Sequence, residues 1–141
     1  MPVYLPDINV LLALVFEAHQ YHAVANEWIE RAEDCRVCRV TQSGFLRLAT
    51  NPALFADEAL TLSQAWSIYD TMMEDERFSF SSEPLGLEHL WRRLTNVASY
   101  SPKVWTDRYL AAFAIADSLT LVTLDVALGS TPGLAVEVLT E

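Results

Sequence analysis

Two hydrophobic periods alternate along the chain. Residues 3–6 (Val-Tyr-Leu-Pro) and 121–124 (Leu-Val-Thr-Leu) are short, continuously apolar runs, the pattern of parallel strands covered on both faces. Between them the apolar positions follow a helical stripe. Val10, Leu11, Leu14 and Val15 mark a helix over 8–16, and Ala25, Trp28 and Ile29 a second over 22–32, with Glu27, Glu30 and Arg31 turned to water. Ala65, Trp66, Tyr69 and Met72 or Met73 mark another over 62–74, and 85–96 is amphipathic as well. Residues 36–40, 78–81 and 136–139 read as further short strands. Thr41 fits an N-cap, opening a helix over 42–49 that stops at Asn51-Pro52 because proline disfavours helical angles in its predecessor. Ser99-Tyr-Ser-Pro102 reads as a break. Thr106 then reads as the cap of an Ala-rich helix over 107–118, with Trp105 and Leu110 at the spacing of a hydrophobic staple. A loop is expected over 128–133. Strands alternating with helices predict a parallel α/β sheet. No repeat or linker interrupts the chain, so one domain spanning 1–141 is expected.

Composition narrows the class. The chain has 141 residues, and its 52% hydrophobic content excludes general disorder. No apolar run approaches the roughly 20 residues of a membrane span. The apolar stretch 10–16 is preceded by Asp7 and Asn9 instead of a basic segment, which does not suit a signal peptide. No membrane partner is expected, and a soluble cytoplasmic protein is. The net charge of −10, from 19 acidic and 9 basic residues, counts against affinity through a broad basic surface. It leaves room for an enzyme that meets phosphate through a metal and a few arginines, and it favours a basic protein partner. Eight of the nine basic residues are Arg, which suits bidentate phosphate contacts. Cys35 and Cys38 form a lone C-x-x-C. Two cysteines cannot complete a four-cysteine zinc site, and Cys38 falls where a strand is expected to begin, so both read as buried structural thiols, with redox sensing as the alternative.

The candidate chemistry lies in three acids. Asp7 closes the first strand, Asp125 closes the strand after the Ala-rich helix, and Asp107 stands in the expected first turn of that helix. In an open parallel sheet, strands end and following helices begin at one carboxyl edge, where such folds hold ligands. Gln42 begins a helix at the same edge. Carboxylates gathered there repel unless a cation neutralises them, and a hard divalent ion prefers oxygen ligands. Each acid also has a plainer reading: Asp107 as a favourable charge at a helix N-terminus, Asp7 and Asp125 as turn or cap residues. Their shared edge is what points to a metal-dependent enzyme acting on phosphate esters.

The motifs around these acids carry a resemblance. Leu5-Pro-Asp7-Ile-Asn9-Val-Leu-Leu12 resembles the opening of PIN-domain ribonucleases, and Thr41-Gln-Ser-Gly-Phe-Leu-Arg-Leu48, ending at Thr50-Asn-Pro52, is similar to the second motif of their VapC toxin branch. Thr106-Asp-Arg-Tyr-Leu-Ala111 and Leu121-Val-Thr-Leu-Asp125 resemble the third and fourth motifs, in the same order. The resemblance implies a PIN-like three-layer fold with a central parallel sheet of four to five short strands flanked by helices. It also implies a Mg²⁺- or Mn²⁺-dependent endoribonuclease toxin, a cognate antitoxin and a homodimer. Asp7 and Asp107 would be the main metal ligands, Asp125 would complete the pocket directly or through water, and Asn9 would support the first acid. Gln42 stands where many PIN nucleases carry Glu. Its carbonyl can contact a metal or water but cannot act as an anionic ligand or base, so one well-held metal is expected, with recruitment of a second together with RNA as the alternative.

Other residues are weighed beside these. His19, His22 and His89 lie outside the motifs and are expected to be ordinary. Arg47 and Arg108 could reach phosphate or simply form ion pairs. Trp28, Trp66 and Tyr69 could pack the core or line a groove for an antitoxin helix. Two other functions compete: a catalytically weak PIN-like module that binds RNA or protein, and a signalling receiver domain. The receiver needs a mid-chain Asp at a strand end and a late Lys. Asp57 does not end a strand, and Lys103, the one lysine, precedes a helix.

Overall fold

Alternation along the strands divides the interior in two. A computed structural model of the chain describes residues 1–140 and contains strands β1 (Tyr4–Pro6), β2 (Cys35–Val37), β3 (Phe78–Phe80), β4 (Thr120–Thr123) and β5 (Val136–Val138). They form one sheet in the order β3-β2-β1-β4-β5, every neighbouring pair parallel. Successive side chains point to opposite faces: Tyr4, Cys35, Val37 and Val122 enter one core, Leu5 and Leu121 the other.

Helices α1 (Ile8–Val15), α2 (His22–Arg31), α3 (Arg39–Ala49), α4 (Pro52–Phe55) and α5 (Leu62–Glu74) follow in chain order. Helices α6 (Leu87–Leu94) and α7 (Lys103–Ala116) come after β3. The first core joins the sheet to Val10 and Leu11 of α1, Trp28 of α2, Phe45 of α3 and Tyr69 of α5. The second joins it to Leu87 of α6 and to Leu110 and Phe113 of α7. The result is a three-layer α/β fold. Ala111, Ala112 and Ala114 are fully buried, so α7 lies close on the sheet, as its small side chains predict.

Two helices begin earlier than expected. The strand predicted over 36–40 ends at Val37, Cys38 is the N-cap of α3, and Thr41 is its third residue. The Thr41 hydroxyl closes the turn from inside, accepting from the Cys38 N–H and donating to the Cys38 carbonyl, both at 3.0 Å. Gln42 is consequently one residue further in, with its N–H donating to the Cys38 carbonyl. Helix α7 likewise starts at Lys103, directly after Pro102, whose φ of −62° and ψ of −25° are already helical. Proline here prolongs the helix backwards because its fixed φ suits a first turn. Thr106 is therefore inside the helix, Asp107 lies in its second turn, and no staple forms. Trp105 is exposed and packs edge-on against Trp91. A short helix, α4, and two 3₁₀ turns (Ala56–Glu58 and Val126–Ser130) occupy segments expected to be irregular.

Candidate functional site

Strand order reverses between β1 and β4. The chain builds outward from β1 through β2 to β3, then crosses back to β4 and β5. Such a switch point opens a crevice at the carboxyl ends of the two central strands. Asp7 follows β1 and Asp125 follows β4, so both reach this crevice by strand geometry alone. Asp107 arrives from the second turn of α7.

Asp7 is tightly held. Its Oδ1 accepts from the Val10 N–H at 2.9 Å, capping α1, and its Oδ2 accepts from the Thr123 hydroxyl at 2.6 Å. Its own N–H donates to the Val122 carbonyl across the β1–β4 pair. The residue is partly buried, and desolvation drives its pKa from 3.8 up to about 6. The Thr123 and Val10 hydrogen bonds pull the other way, the charge of Asp107 pushes further up, and that of Lys103 pulls down. These influences put Asp7, Asp107 and Lys103 within one electrostatic neighbourhood.

Asp107 and Asp125 meet on a single cation. The Lys103 ammonium lies 3.1 Å from Asp107 Oδ2 and 2.8 Å from Asp125 Oδ2. Asp125 Oδ1 also accepts from the Ala127 N–H at 2.9 Å, and its own N–H donates to Thr123 Oγ1 at 3.0 Å. The lysine hydrogen bond is the main reason the Asp125 carboxyl is held below the usual range. Thr123, fully buried, therefore joins the two strand-end acids, donating to one and accepting from the backbone of the other.

Gln42 stands apart from this trio in its bonding. Its Oε1 accepts from the Arg39 guanidinium. Arg39 in turn stacks over the Phe80 ring, 4.8 Å from its centre, at the end of β3. Asn9 is exposed and lines a groove with His19, Tyr21 and Asp57; the hydroxyl that supports Asp7 is that of Thr123. Arg108 donates to the Leu94 carbonyl and so ties α7 to α6. Trp28 and Tyr69 are core residues, while Trp66 is half exposed. Cys35 and Cys38 are both free and buried, and burial pushes the Cys35 thiol up to about 12, leaving it inert at neutral pH.

Among the described residues no three His, Cys, Asp or Glu side chains converge into a ready-made metal cage. The donor set still suits a hard cation, since it is all oxygen. One cation is already drawn between Asp107 and Asp125, and the Asp7 carboxyl is short of positive charge. Sequence inspection missed Lys103 and Thr123. Thr123 had a usable signal, a hydroxyl in an apolar strand two residues before an acid and on the same side of the sheet. Lys103 had none, because the helix carrying it was expected to start four residues later.

Comparison with known proteins gives this arrangement a family. The PIN domain model matches residues 4–134. Ribonuclease VapC41 of Mycobacterium tuberculosis is 36% identical over 140 residues, covering 94% of this chain and 96% of the relative. Ribonuclease VapC44 of the same organism is 30% identical over 131 residues, with 90% of each chain covered. The fold is similar to that of VapBC2 from Rickettsia felis, crystallised with a promoter DNA fragment, at a TM-score of 0.69 and 14% identity over 98% of this chain and 99% of that one. DNA-bound VapBC from Salmonella typhimurium gives a TM-score of 0.68 at 12% identity, covering 97% and 98%. The chain belongs to the PIN-domain family and, within it, to the VapC toxins.

Proposed function

We propose that this chain is an endoribonuclease toxin that hydrolyses RNA phosphodiesters at a divalent-metal pocket bounded by Asp7, Asp107 and Asp125. The observation that carries this reading is the linkage of three acids at the β1–β4 switch point: Thr123 bonds both Asp7 and the Asp125 backbone, and Lys103 bridges Asp125 to Asp107. Relatives named as ribonucleases at up to 36% identity over most of the chain support it. A Mg²⁺ or Mn²⁺ ion bound there would supply Lewis-acid polarisation of the attacking water and of the scissile phosphate. The residues of the chain do the positioning. Thr123 and the first turn of α1 fix the Asp7 carboxylate in one orientation, and α7 presents Asp107, which shares Lys103 with Asp125. Asp125 holds the third side directly or through water. Gln42, engaged by Arg39, serves as a polar wall and orients water or substrate without taking a proton.

The inhibitor of this activity would be a cognate antitoxin, as in the VapBC complexes of similar fold. Exposed Leu62, Trp66 and Ile68 on α5 offer apolar area to a protein partner, a second copy or the antitoxin, and the acidic net charge favours a basic segment.

Cleavage of total RNA with Mg²⁺ or Mn²⁺, and its loss in EDTA, tests the reading. Asp7→Asn and Asp107→Asn should each lower the rate by roughly a hundredfold or more, the scale of a lost transition-state charge contact. Equal cleavage by wild type and both variants would refute it. The engagement of Gln42 by Arg39 motivates a second reading, a binding module without cleavage. That reading predicts RNA retention in a filter assay with no turnover under any metal condition.

A further inference from the structure

Lys103 sits where helix electrostatics should exclude it. It is the first residue of α7, where the partial positive charge of the helix end repels a cation. Its i,i+4 pairing with Asp107 also has the less favoured order, lysine before acid. The segment gains nothing locally from a lysine there. What the residue does gain is two carboxylates from different elements, Asp107 of α7 and Asp125 after β4, at 3.1 and 2.8 Å.

The residue type is equally pointed. The chain uses Arg at eight of its nine basic positions and Lys only here. A guanidinium is a planar fork, whereas an ammonium is a compact, strongly hydrated point charge, closer in shape to a small hard metal ion. The lysine side chain is 62% exposed, so it can swing out to solvent without disturbing the core. The carboxylates it joins are anchored: Asp125 caps the turn after β4, and Asp107 rides on α7, which is buried from Tyr109 to Ala114.

We propose that Lys103 is an internal counter-ion that occupies the acid pocket in the metal-free protein and must leave for a divalent ion to bind. This rests on the metal-pocket reading above and adds a competitor from the same chain. Lys103 stabilises the resting pocket by offsetting one of the two negative charges it bridges, and it lowers apparent metal affinity by the fraction of molecules in which it is docked. The arrangement keeps the acids assembled when no metal is present and sets the metal concentration at which the site loads.

The test measures Mn²⁺ binding by calorimetry, together with thermal unfolding with and without Mn²⁺, on wild type, Lys103→Met and Lys103→Arg. Removing the competitor should tighten Mn²⁺ binding by about tenfold, the factor expected if the docked form holds some nine-tenths of the population. Lys103→Arg should not tighten it. Lys103→Met should also unfold at a lower temperature than wild type in EDTA, and the gap should close or reverse in saturating Mn²⁺. A lysine that only braces the fold would lower both temperatures equally and leave affinity unchanged, which would overturn the proposal. Wild type binding Mn²⁺ as tightly as Lys103→Met sinks the lysine inference alone. Absence of Mn²⁺ binding to wild type and Lys103→Met alike sinks the metal-pocket reading with it.

Discussion

Asp7 carries opposed demands. Its carboxylate must be ionised to hold a cation, yet its desolvation favours the proton, and only two hydrogen bonds and Lys103 resist that. In EDTA the folded chain keeps the Asp7 proton up to about pH 6, while the unfolded chain releases it near 3.8. Between those values the folded state binds more protons, so Asp7 makes stability fall as pH rises through that window. The loss amounts to about 2–3 kcal/mol from the scale of a pKa shift. Asp125 and Asp75, both held below the usual range, act with the opposite sign and at lower pH. Urea unfolding of Asp7→Asn in EDTA should therefore lack the decline between pH 4 and 6 and show stability at pH 7 at or above wild type, although RNA cleavage is lost.

Thr123 is the residue through which the two strand ends communicate. Thr123→Val keeps the shape but removes the donor to Asp7 and the acceptor for the Asp125 N–H. A loss of about 1–3 kcal/mol is expected from the orphaned buried group. A fall of about 10–100-fold in metal affinity or cleavage is expected from a ligand left unoriented. Thermal unfolding and Mn²⁺ titration together check both, and a variant with unchanged metal affinity would remove Thr123 from the site.

At the scale of elements, the site depends on how closely α1 and α3 approach. Gly44 of α3 faces Ile8, the first residue of α1 and the neighbour of Asp7. A Cβ at Gly44 would lie 2.7 Å from Ile8 Cγ1 and closer still to its Cδ1, too near without movement. Gly44→Ala would gain helix propensity, but the overlap should outweigh it, for a net loss of about 1–2 kcal/mol, and it should lower cleavage by displacing the start of α1. The double variant Ile8→Ala/Gly44→Ala should recover part of the stability, which a double-mutant cycle by denaturant unfolding measures. Purely additive effects would show that the two helices do not compete for this space.

Helix starts also explain why parts of the site were hard to read in the sequence. Thr41 and Thr106 are strong cap residues, and each was expected to open its helix. In both cases the chain was already helical, because Cys38 accepted a reciprocal bond from Thr41 and because Pro102 arrives with helical angles. The penalty was specific. Moving the start of α7 back four residues puts Lys103 on the helix, one turn before Asp107 and in reach of Asp125. Local propensity marks where a cap would be good, not which of two good caps the packing selects.

For the whole molecule, charge and topology act together. A chain of net charge −10 that gathers carboxylates at a switch point should be stabilised by a bound divalent ion through mass action. At a hundred times the dissociation constant the gain is about 2.7 kcal/mol. Differential scanning fluorimetry should show this rise with Mg²⁺ or Mn²⁺ for wild type and not for Asp107→Asn. Equal shifts in both would indicate binding elsewhere on the acidic surface. Among the described residues no helix is long and apolar enough to cross a membrane.

By itself the sequence determined the alternation of short apolar strands and amphipathic helices, and hence a parallel α/β sheet. It also put Asp7 and Asp125 at the carboxyl ends of strands, though β4 stops at Thr123 and Asp125 caps the turn two residues beyond. Only the tertiary structure decided that β1 and β4 lie side by side at the reversal of strand order, that Thr123 links the two acids, and that Lys103 stands between Asp107 and Asp125. Those contacts join residues up to 116 positions apart, and such pairings depend on which strands pack together, a choice that no local window of sequence contains.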